Sequence, residues 1–219
     1  MNAETNEAND LKIMIIGSSG SGKTSFVERW TKNRFSKDYK ATVISDFGFK
    51  IYKYNDNLYR IQLWDIGGQD KSSSMAKIFA RDSYGCVVVT DLSLNETPDE
   101  IFNWKEIIRQ ESSFIDNESI PFILIGNKID LIEEEEKGKI DERAKNICQN
   151  YGFLNYFLTS AKEGININES MKFLIEYIID RMNKFSEENK VEFGQKRKDT
   201  VKVKKKVHGV KEEKKGKCC

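Results

Sequence analysis

The chain has 219 residues, of which 38% are hydrophobic and 32% charged, enough for one α/β domain with a buried core and a remaining tail. The net charge of +1 is uneven: residues 184–219 hold 13 Lys and Arg against 6 Asp and Glu, so a mildly acidic body carries a basic tail. No apolar run approaches the roughly 18 residues that span a bilayer, and residues 1–10 form a polar extension without the apolar core of a signal peptide. We therefore expect a protein that is made and kept in the cytosol.

The four cysteines and the single histidine limit the chemistry that the folded body can use. Cysteines in a chain without a signal peptide do not predict a disulfide framework. Cys86 lies in an apolar run and Cys148 on the apolar face of a predicted helix, so we expect both to be inert core residues. His208 lies in the tail, which argues against histidine-dependent catalysis or metal binding in the body.

The first predicted strand, 11–16, ends in a loop that matches G-x-x-x-x-G-K-[ST] at every fixed position, which is typical of a phosphate-binding loop. Backbone N–H groups wrap the phosphates, Lys23 reaches the β- and γ-phosphates and the Thr24 hydroxyl takes one Mg²⁺ position. The segment 24–31 predicts a helix whose N-terminus faces the same anion. A plain Gly/Ser-rich turn is the alternative. The predicted nucleotide-binding residues of this loop are Gly17, Ser18, Ser19, Gly20, Ser21, Gly22, Lys23, Thr24 and Ser25.

Strand and helix patterns alternate along the rest of the chain. Two alternating runs, 47–54 and 58–64, predict a hairpin. Such alternation implies a doubly wound, mostly parallel sheet, in which ligands bind at the carboxyl ends of the strands. The further predicted strands are 84–90, 121–126 and 156–159, and the further predicted helices are 97–108, 141–151 and 167–182.

Two helix starts carry capping signals. Thr97-Pro98-Asp99-Glu100 predicts an N-cap threonine, a proline at the first helical position and a capping box closed by Glu100. Asn166 and Glu169 predict a second N-cap pair before an apolar stripe.

Three short motifs after predicted strands indicate which nucleotide binds. Asp65-Ile66-Gly67-Gly68-Gln69 offers an acidic residue that holds Mg²⁺ through water and a glycine whose N–H reaches a γ-phosphate, although this motif alone is common in turns. In Asn127-Lys128-Ile129-Asp130, the Asp130 carboxylate can accept hydrogen bonds from guanine N1–H and the 2-amino group, a donor pair that adenine lacks. Sites built around such bonds reject analogues by about 10⁴ to 10⁵, so the predicted base is guanine.

The third motif, Thr159-Ser160-Ala161-Lys162, completes the predicted base pocket. The backbone N–H of Ala161 and the stem of Lys162 would contact the base. An ordinary strand-to-helix loop is the alternative. The order and spacing of all four motifs together favour the nucleotide site.

With these motifs in order, the sequence resembles the Ras superfamily of small GTPases and, within it, the Rab family, over residues 11–182 and again at Cys218-Cys219. The resemblance implies a P-loop small G domain over 11–183, with a mostly parallel six-stranded α/β sheet, one antiparallel edge strand and helices on both faces. It implies a GTPase that binds GTP or GDP and hydrolyses GTP to GDP and phosphate. Its cofactor is Mg²⁺, held by Thr24, Thr42 and, through water, Asp65.

The resemblance also assigns two switches, 36–47 and 65–81. Phe35 should pack against the guanine, Tyr39 should lie over the phosphates and Thr42 should reach Mg²⁺ when GTP is bound. The family's aromatic effector-reading positions fall on Phe47, Trp64 and Phe79, for which plain core aromatics are the alternative.

The implied mechanism needs little covalent chemistry. Lys23, Mg²⁺ and the loop amides stabilise charge while Gln69 orients the attacking water. No arginine in the switches is an evident internal finger, so we expect slow hydrolysis that a partner's arginine accelerates by about 10³ to 10⁵. The implied partners are a nucleotide exchange factor, a GTPase-activating protein, a prenylation escort, a GDP-dissociation inhibitor and effectors that bind the switches.

Within the Rab family, the sequence resembles the branch that serves lysosome-related organelles. The resemblance is carried by 63–69, with Ile66 where most Rabs have Thr, by Met75 and by 157–167. Gly67 replaces the usual Ala, and the segments 43–45 and 70–72 also depart from the family pattern. These departures leave the nucleotide ligands intact and alter the surface that faces partners.

The basic tail, 184–219, lacks periodicity and ends in Cys218-Cys219. A basic run alone predicts solvated disorder and leaves nuclear localisation or nucleic-acid binding open. The two cysteines resemble the doubly geranylgeranylated Rab terminus, in which two lipid chains anchor stably and lysines attract anionic leaflets. We therefore expect no nucleic-acid partner, and a regulator of vesicle trafficking on the cytosolic face of endosomal or lysosome-related membranes that cycles with the cytosol. The alternatives are a GTP-binding scaffold, against which Gln69 argues, and a soluble GTPase outside trafficking.

Overall fold

A computed structural model describes residues 9–37, 42, 45–68, 74–94 and 97–207. Strands and helices alternate through these ranges, as the sequence pattern predicts. The elements are β1 Asn9–Ile16, α1 Lys23–Lys32, β2 Ser45–Tyr54, β3 Asn57–Ile66, α2 Ser74–Ala80, β4 Gly85–Asp91, α3 Pro98–Arg109, β5 Phe122–Asn127, α4 Glu134–Asn150, β6 Asn155–Leu158 and α5 Ile167–Val207.

The strands form one six-stranded sheet in the order β2-β3-β1-β4-β5-β6. Among the named strands of the described ranges, only the edge strand β2 pairs in antiparallel fashion, with β3, and the other strand pairs are parallel. The predicted fold class is therefore confirmed. Every residue of β4 and β5 is buried, which explains why both strands are continuous apolar runs rather than alternating ones.

Helices cover both faces of the sheet. Gly48 of β2 lies against Val27 of α1. Neighbouring strand residues point to opposite faces. On the other face, Phe47 packs edge-to-face against Trp64, which in turn contacts Phe79 of α2. The strand register brings the carboxyl ends of the parallel strands to one edge, where the predicted motifs follow them.

The predicted hairpin is present, with a loop one residue shorter than the sequence pattern indicates. Tyr54 pairs with Asn57, so Asn55 and Asp56 alone make the turn. Both turn residues have positive φ, 47° and 61°, which a two-residue type I′ hairpin requires and which Asn and Asp tolerate.

The capping box at the start of α3 is confirmed. Glu100 N donates to the Thr97 hydroxyl at 3.3 Å, and Thr97 N donates to the Glu100 carboxylate at 3.0 Å. Pro98 occupies the first helical position.

We expect Thr97→Ala to lower the free energy of unfolding by about 1 kcal/mol, because the Glu100 amide loses its acceptor. Urea denaturation of the GDP-loaded protein measures this change. Thr97→Ser keeps the oxygen and should match the wild type, and equal midpoints for all three proteins would contradict the role of the cap.

Asn166 has a different role from the predicted N-cap. Its φ is 55°, and its side-chain amide donates to the carbonyl of Leu158 at 2.8 Å. Asn166 therefore joins the end of β6 to the start of α5, a contact that depends on tertiary structure.

Cys86 and Cys148 are free, buried thiols, as predicted. Burial raises the pKa of both thiols. Since the thiolate is the reactive form, both cysteines are inert in this environment.

The chain divides into two compact units, residues 1–178 and 179–219, and the candidate site lies in the first. α5 crosses this division and continues to Val207, past residue 184, where the sequence predicts that the tail begins. Residues 184–207 contain no proline and are rich in Lys and Glu, which favour helix. The assignment of 11–183 as the domain and 184–219 as a disordered tail stays a prediction. Among the described helices, none has the length and apolarity to cross a membrane.

Candidate functional site

The loop after β1 packs closely against its neighbours, and at Gly22 and Gly68 there is no room for a side chain. A Cβ on Gly22 would lie 2.3 Å from Asn127 Nδ2, and Gly22 also has a φ of 94°. A Cβ on Gly68 would lie 2.5 Å from Ser19 N. Gly68 therefore brings the end of β3 into backbone contact with the predicted phosphate-binding loop.

The start of α1 is built to receive an anion. The N-cap residue Gly22 makes no side-chain capping bond, and the first turn contains no acidic residue. Lys23 is 5% exposed, and its ammonium donates to the carbonyls of Gly17 and Ser18 at 2.9 Å each. The helix N-terminus and the ammonium thus present positive charge to the same loop.

A group of oxygen atoms lies beside this positive charge. The hydroxyls of Thr24 and Thr42 are 2.8 Å apart, and the Thr24 hydroxyl also donates to Asp65 Oδ2. Asp65 is fully buried, and its Oδ1 has no hydrogen-bond partner among the described residues. Burial raises the pKa of the Asp65 carboxyl to about 6, although the Thr24 hydroxyl and the Lys23 charge oppose this shift.

These oxygens fit Mg²⁺, which prefers hard oxygen ligands and few protein carboxylates. A buried carboxylate oxygen without a partner is the kind of group that a cation would satisfy. No cluster of three His, Cys, Asp or Glu side chains that could hold a metal occurs in the described part of the chain. A magnesium ion here would therefore need phosphate and water oxygens to complete its coordination.

The base-recognition motifs meet at the opposite end of the cleft. Asp130 accepts a hydrogen bond from the Ser160 hydroxyl at 2.6 Å and pairs with the Lys162 ammonium at 3.5 Å. Asn127 donates to Ser21 O at 2.9 Å and accepts from Ala161 N at 3.1 Å. One amide side chain thus ties the phosphate-binding loop to the base loop.

Lys128 has a partner that the sequence motifs do not identify. Its ammonium pairs with Asp91 Oδ2 at 2.5 Å, and the Asp91 side chain is 3% exposed. Asp91 also accepts hydrogen bonds from Ser93 N and Oγ at 2.9 and 2.6 Å. The sequence feature that could have identified Asp91 is its position at the carboxyl end of β4, because such sheets bind ligands at the carboxyl ends of their strands.

The two ends form one cleft of about 760 Å³, a volume typical of small-molecule sites. Most of the predicted nucleotide residues line it: Ser19, Gly20, Gly22, Lys23, Thr24, Ser25, Phe35, Thr42, Gly68, Asn127, Lys128, Asp130, Ala161 and Lys162. Five predicted residues lie behind this lining, Gly17, Ser18, Ser21, Asp65 and Ser160, and the last three are fully buried. Residues that the sequence reasoning missed also line the cleft, among them Glu28, Asp46 and Leu131. Tyr39 and Gln69 lie outside the described residues.

The three predicted effector-reading aromatics form one cluster on the sheet face that α2 covers. Trp64 lies between Phe47, at 5.5 Å between ring centroids, and Phe79, at 5.2 Å. Phe47 is 49% exposed, so it is not a plain core aromatic. The Lys12 ammonium lies over the Trp64 ring, 4.8 Å from its centroid, in a cation–π contact.

Comparison with known proteins agrees with this geometry. Residues 12–180 match the profile of the Ras family. The human Ras-related protein Rab-32 is 32% identical over 211 residues, covering 95% of this chain and 89% of that protein. This chain belongs to the Rab family.

Other Rab relatives are similarly close. The Ras-related protein Rab7 of Cenchrus ciliaris is 36% identical over 166 residues, covering 76% of this chain and 81% of that protein. The Ypt/Rab-type GTPase ypt7 of Schizosaccharomyces pombe is 36% identical over 173 residues, covering 79% of this chain and 84% of that protein.

Family membership confirms the predicted activity. The chain is a Rab-family small GTPase that binds GTP and GDP, hydrolyses GTP to GDP and phosphate and acts in vesicle trafficking. Its general partners are those of the family: exchange factors, GTPase-activating proteins, GDP-dissociation inhibitors and effectors.

Proposed function

We propose that this Rab GTPase binds GTP and GDP together with Mg²⁺ in the 760 Å³ cleft and switches effector binding on endosomal or lysosome-related membranes. The observation that supports the proposal is that distant parts of the sequence meet at one site. Four segments far apart in sequence, 17–25, 65–68, 127–130 and 160–162, meet around one cleft, each with groups suited to a different part of the nucleotide.

At the phosphate end, the backbone N–H groups of the loop and the start of α1 bind the phosphates, together with the Lys23 ammonium. Thr24 and Thr42, and Asp65 through water, would hold Mg²⁺, and the ion would supply positive charge that offsets the charge of the phosphates. Gly68 lies against the loop and presents its N–H to the γ-phosphate.

At the base end, Asp130 accepts hydrogen bonds from guanine N1–H and the 2-amino group. Ser160 and Lys162 hold that carboxylate in place. The Ala161 N–H, which the sequence motif places on the base, donates instead to Asn127 Oδ1, so Ala161 supports the base loop through Asn127. The stem of Lys128, positioned by Asp91, and Phe35 cover the remaining surface of the base.

The hydrolysis step depends on Gln69, which orients the attacking water while the charged groups of the site stabilise the transition state. Loss of the γ-phosphate then removes the contacts of Thr42 and Gly68, and both switches loosen. In the cluster of Phe47, Trp64 and Phe79, Phe47 belongs to the first switch and Phe79 to the second, so effectors that bind this cluster distinguish the two states.

The test is nucleotide competition on the purified protein with fluorescent GDP. Unlabelled GTP and GDP should displace it, while ATP should not do so even at about 10³-fold excess. Removing Mg²⁺ with a chelator should speed GDP dissociation. Equal displacement by ATP and GTP would contradict the assignment of the base pocket.

The membrane part of the proposal depends on Cys218 and Cys219, which lie outside the described residues. Two prenyl chains anchor a protein stably whereas one anchors it marginally. Similarity to Rab7 and Rab-32 relatives supports endosomal and lysosome-related membranes as the location. A prenylation escort that delivers the lipidated protein belongs to the same proposal.

Replacing both Cys218 and Cys219 with Ser should move the protein entirely to the soluble fraction of a cell lysate, because both lipid attachment points are lost. Fractionation by centrifugation measures the distribution. Cys148→Ala removes a thiol that is already buried and should leave the membrane fraction unchanged. A double variant that still pellets with membranes would contradict the lipid anchor.

A further inference from the structure

Arg29, half-buried on α1, connects two parts of the base end of the cleft. Its Nε donates to Ala161 O at 2.8 Å, and its Nη2 donates to Lys162 O at 2.6 Å. Its Nη1 donates to Asn33, at 3.3 Å to the carbonyl and 3.2 Å to the side-chain oxygen. One guanidinium therefore satisfies acceptors on two separate segments.

One of the two segments lines the cleft, and the other is the end of α1 that leads to a second lining residue. Ala161 and Lys162 form the base loop, and the Ala161 amide is bonded to Asn127. Asn33 is the C-cap of α1, with a φ of 51°, and it stands two residues before Phe35, which lines the cleft. Arg29 thus bonds both to the base loop and to the turn that leads to Phe35.

The chemistry of the side chain suits this role. Guanidinium is planar, permanently charged and carries five N–H donors in a fixed fork, whereas the lysine ammonium is a point donor on a flexible stem. Ala161 is 3% exposed, so its carbonyl would lack water if Arg29 were removed. Arg29 itself is not among the described residues that line the cleft.

We propose that Arg29 is a positioning residue for guanine-nucleotide binding, which holds the base loop and the Asn33 turn in the geometry that retains the base. It sets the lifetime of the bound nucleotide without acting on the reacting phosphates. This inference rests on the proposed function of the cleft.

The test compares Arg29→Met with the wild type, since methionine keeps a long stem and a high helix propensity but has no donors. GDP dissociation, followed by exchange of fluorescent GDP for unlabelled GDP, should accelerate by about 10- to 100-fold. GTP should dissociate faster by the same factor. Single-turnover hydrolysis of GTP that is already bound should stay within about twofold of the wild type, because the phosphate end is intact.

Arg109→Met is the matched control, because Arg109 is a helix arginine whose guanidinium donates to Glu106 on the same helix. It should leave dissociation unchanged. Arg29→Lys keeps the charge but not the fork, so dissociation should fall between that of the wild type and Arg29→Met. This variant also tests the inference if Arg29→Met does not fold.

Wild-type dissociation rates in both Arg29 variants would overturn the inference while leaving the proposed function intact. Hydrolysis of bound GTP that slows as much as dissociation accelerates would also overturn it, because the whole site would then be disturbed. A wild type that does not retain GDP would overturn the proposed function, and this inference with it.

Discussion

Asp130→Asn is expected to change the base preference of the protein from guanine to xanthine. Guanine presents two donors, N1–H and the 2-amino group, to the two acceptor oxygens of a carboxylate. An asparagine amide has one acceptor and one donor group, which match the N1–H and the C2 carbonyl of xanthine. Because a site built on such bonds discriminates by about 10⁴ to 10⁵, the preference for GDP over xanthosine diphosphate should fall by a factor of that order. Competition against fluorescent GDP and its xanthine analogue measures both affinities.

Asp141→Asn is the matched control for this substitution. Asp141 is an exposed carboxylate on α4 that accepts a hydrogen bond from the Tyr156 hydroxyl at 3.1 Å. Asp141→Asn removes the same charge at a distance from the cleft and should leave the preference for guanine unchanged. If Asp130→Asn still favours guanine as strongly as the wild type, the carboxylate does not read the base.

Gln69→Leu is expected to abolish most of the stimulation that a GTPase-activating protein gives, which we place at about 10³ to 10⁵. Leucine has a similar size but cannot orient the attacking water, so a partner's arginine would stabilise a transition state that forms rarely. Single-turnover hydrolysis of preloaded GTP, with and without the activating protein, measures the loss. GDP dissociation should not change, since Gln69 takes no part in binding the base.

Gln62→Leu provides the control for Gln69→Leu. Gln62 is a half-buried residue of β3, paired with Phe49 and Lys12 in the sheet. The Gln62→Leu variant should keep the full stimulation of hydrolysis by the activating protein. An unchanged rate in Gln69→Leu would contradict its assigned role. A wild type that hydrolyses little GTP even with the activating protein would favour the alternative of a GTP-binding scaffold.

The sheet and most of the cleft could be predicted because their signals are local in sequence. The loop 17–24 needs glycine for backbone contacts within a few residues, and Asp65 and Asn127 lie at the carboxyl ends of β3 and β5. Strand ends of a doubly wound sheet meet at one edge, so sequence order alone brought these groups together.

The supporting contacts could not be predicted because they join residues far apart in sequence. Asp91 meets Lys128 across 37 positions, and Arg29 meets Ala161 across 132. The sequence spacing of the two residues does not indicate the contact in either pair. Asn166 is a closer case: it follows a capping pattern, but its amide donates to Leu158 O only eight residues earlier, a contact that the capping pattern does not indicate.

Helix boundaries were predicted less well than helix positions. α4 begins at Glu134, seven residues before the predicted start at 141, because its periodic apolar face lies only in the second half. Its first turn holds three consecutive glutamates, which the positive end of the helix dipole stabilises without any apolar signal.

The aromatic cluster has a spectroscopic consequence. The chain contains three tryptophans, and two of them, Trp30 and Trp104, are buried at 3% and 1% exposure. Among the described residues, Trp64 is the tryptophan that packs against rings from both switches, edge-to-face with Phe47 and tilted against Phe79. We therefore expect a change in intrinsic fluorescence as GTP becomes GDP to arise chiefly from Trp64, which lies where effectors would bind.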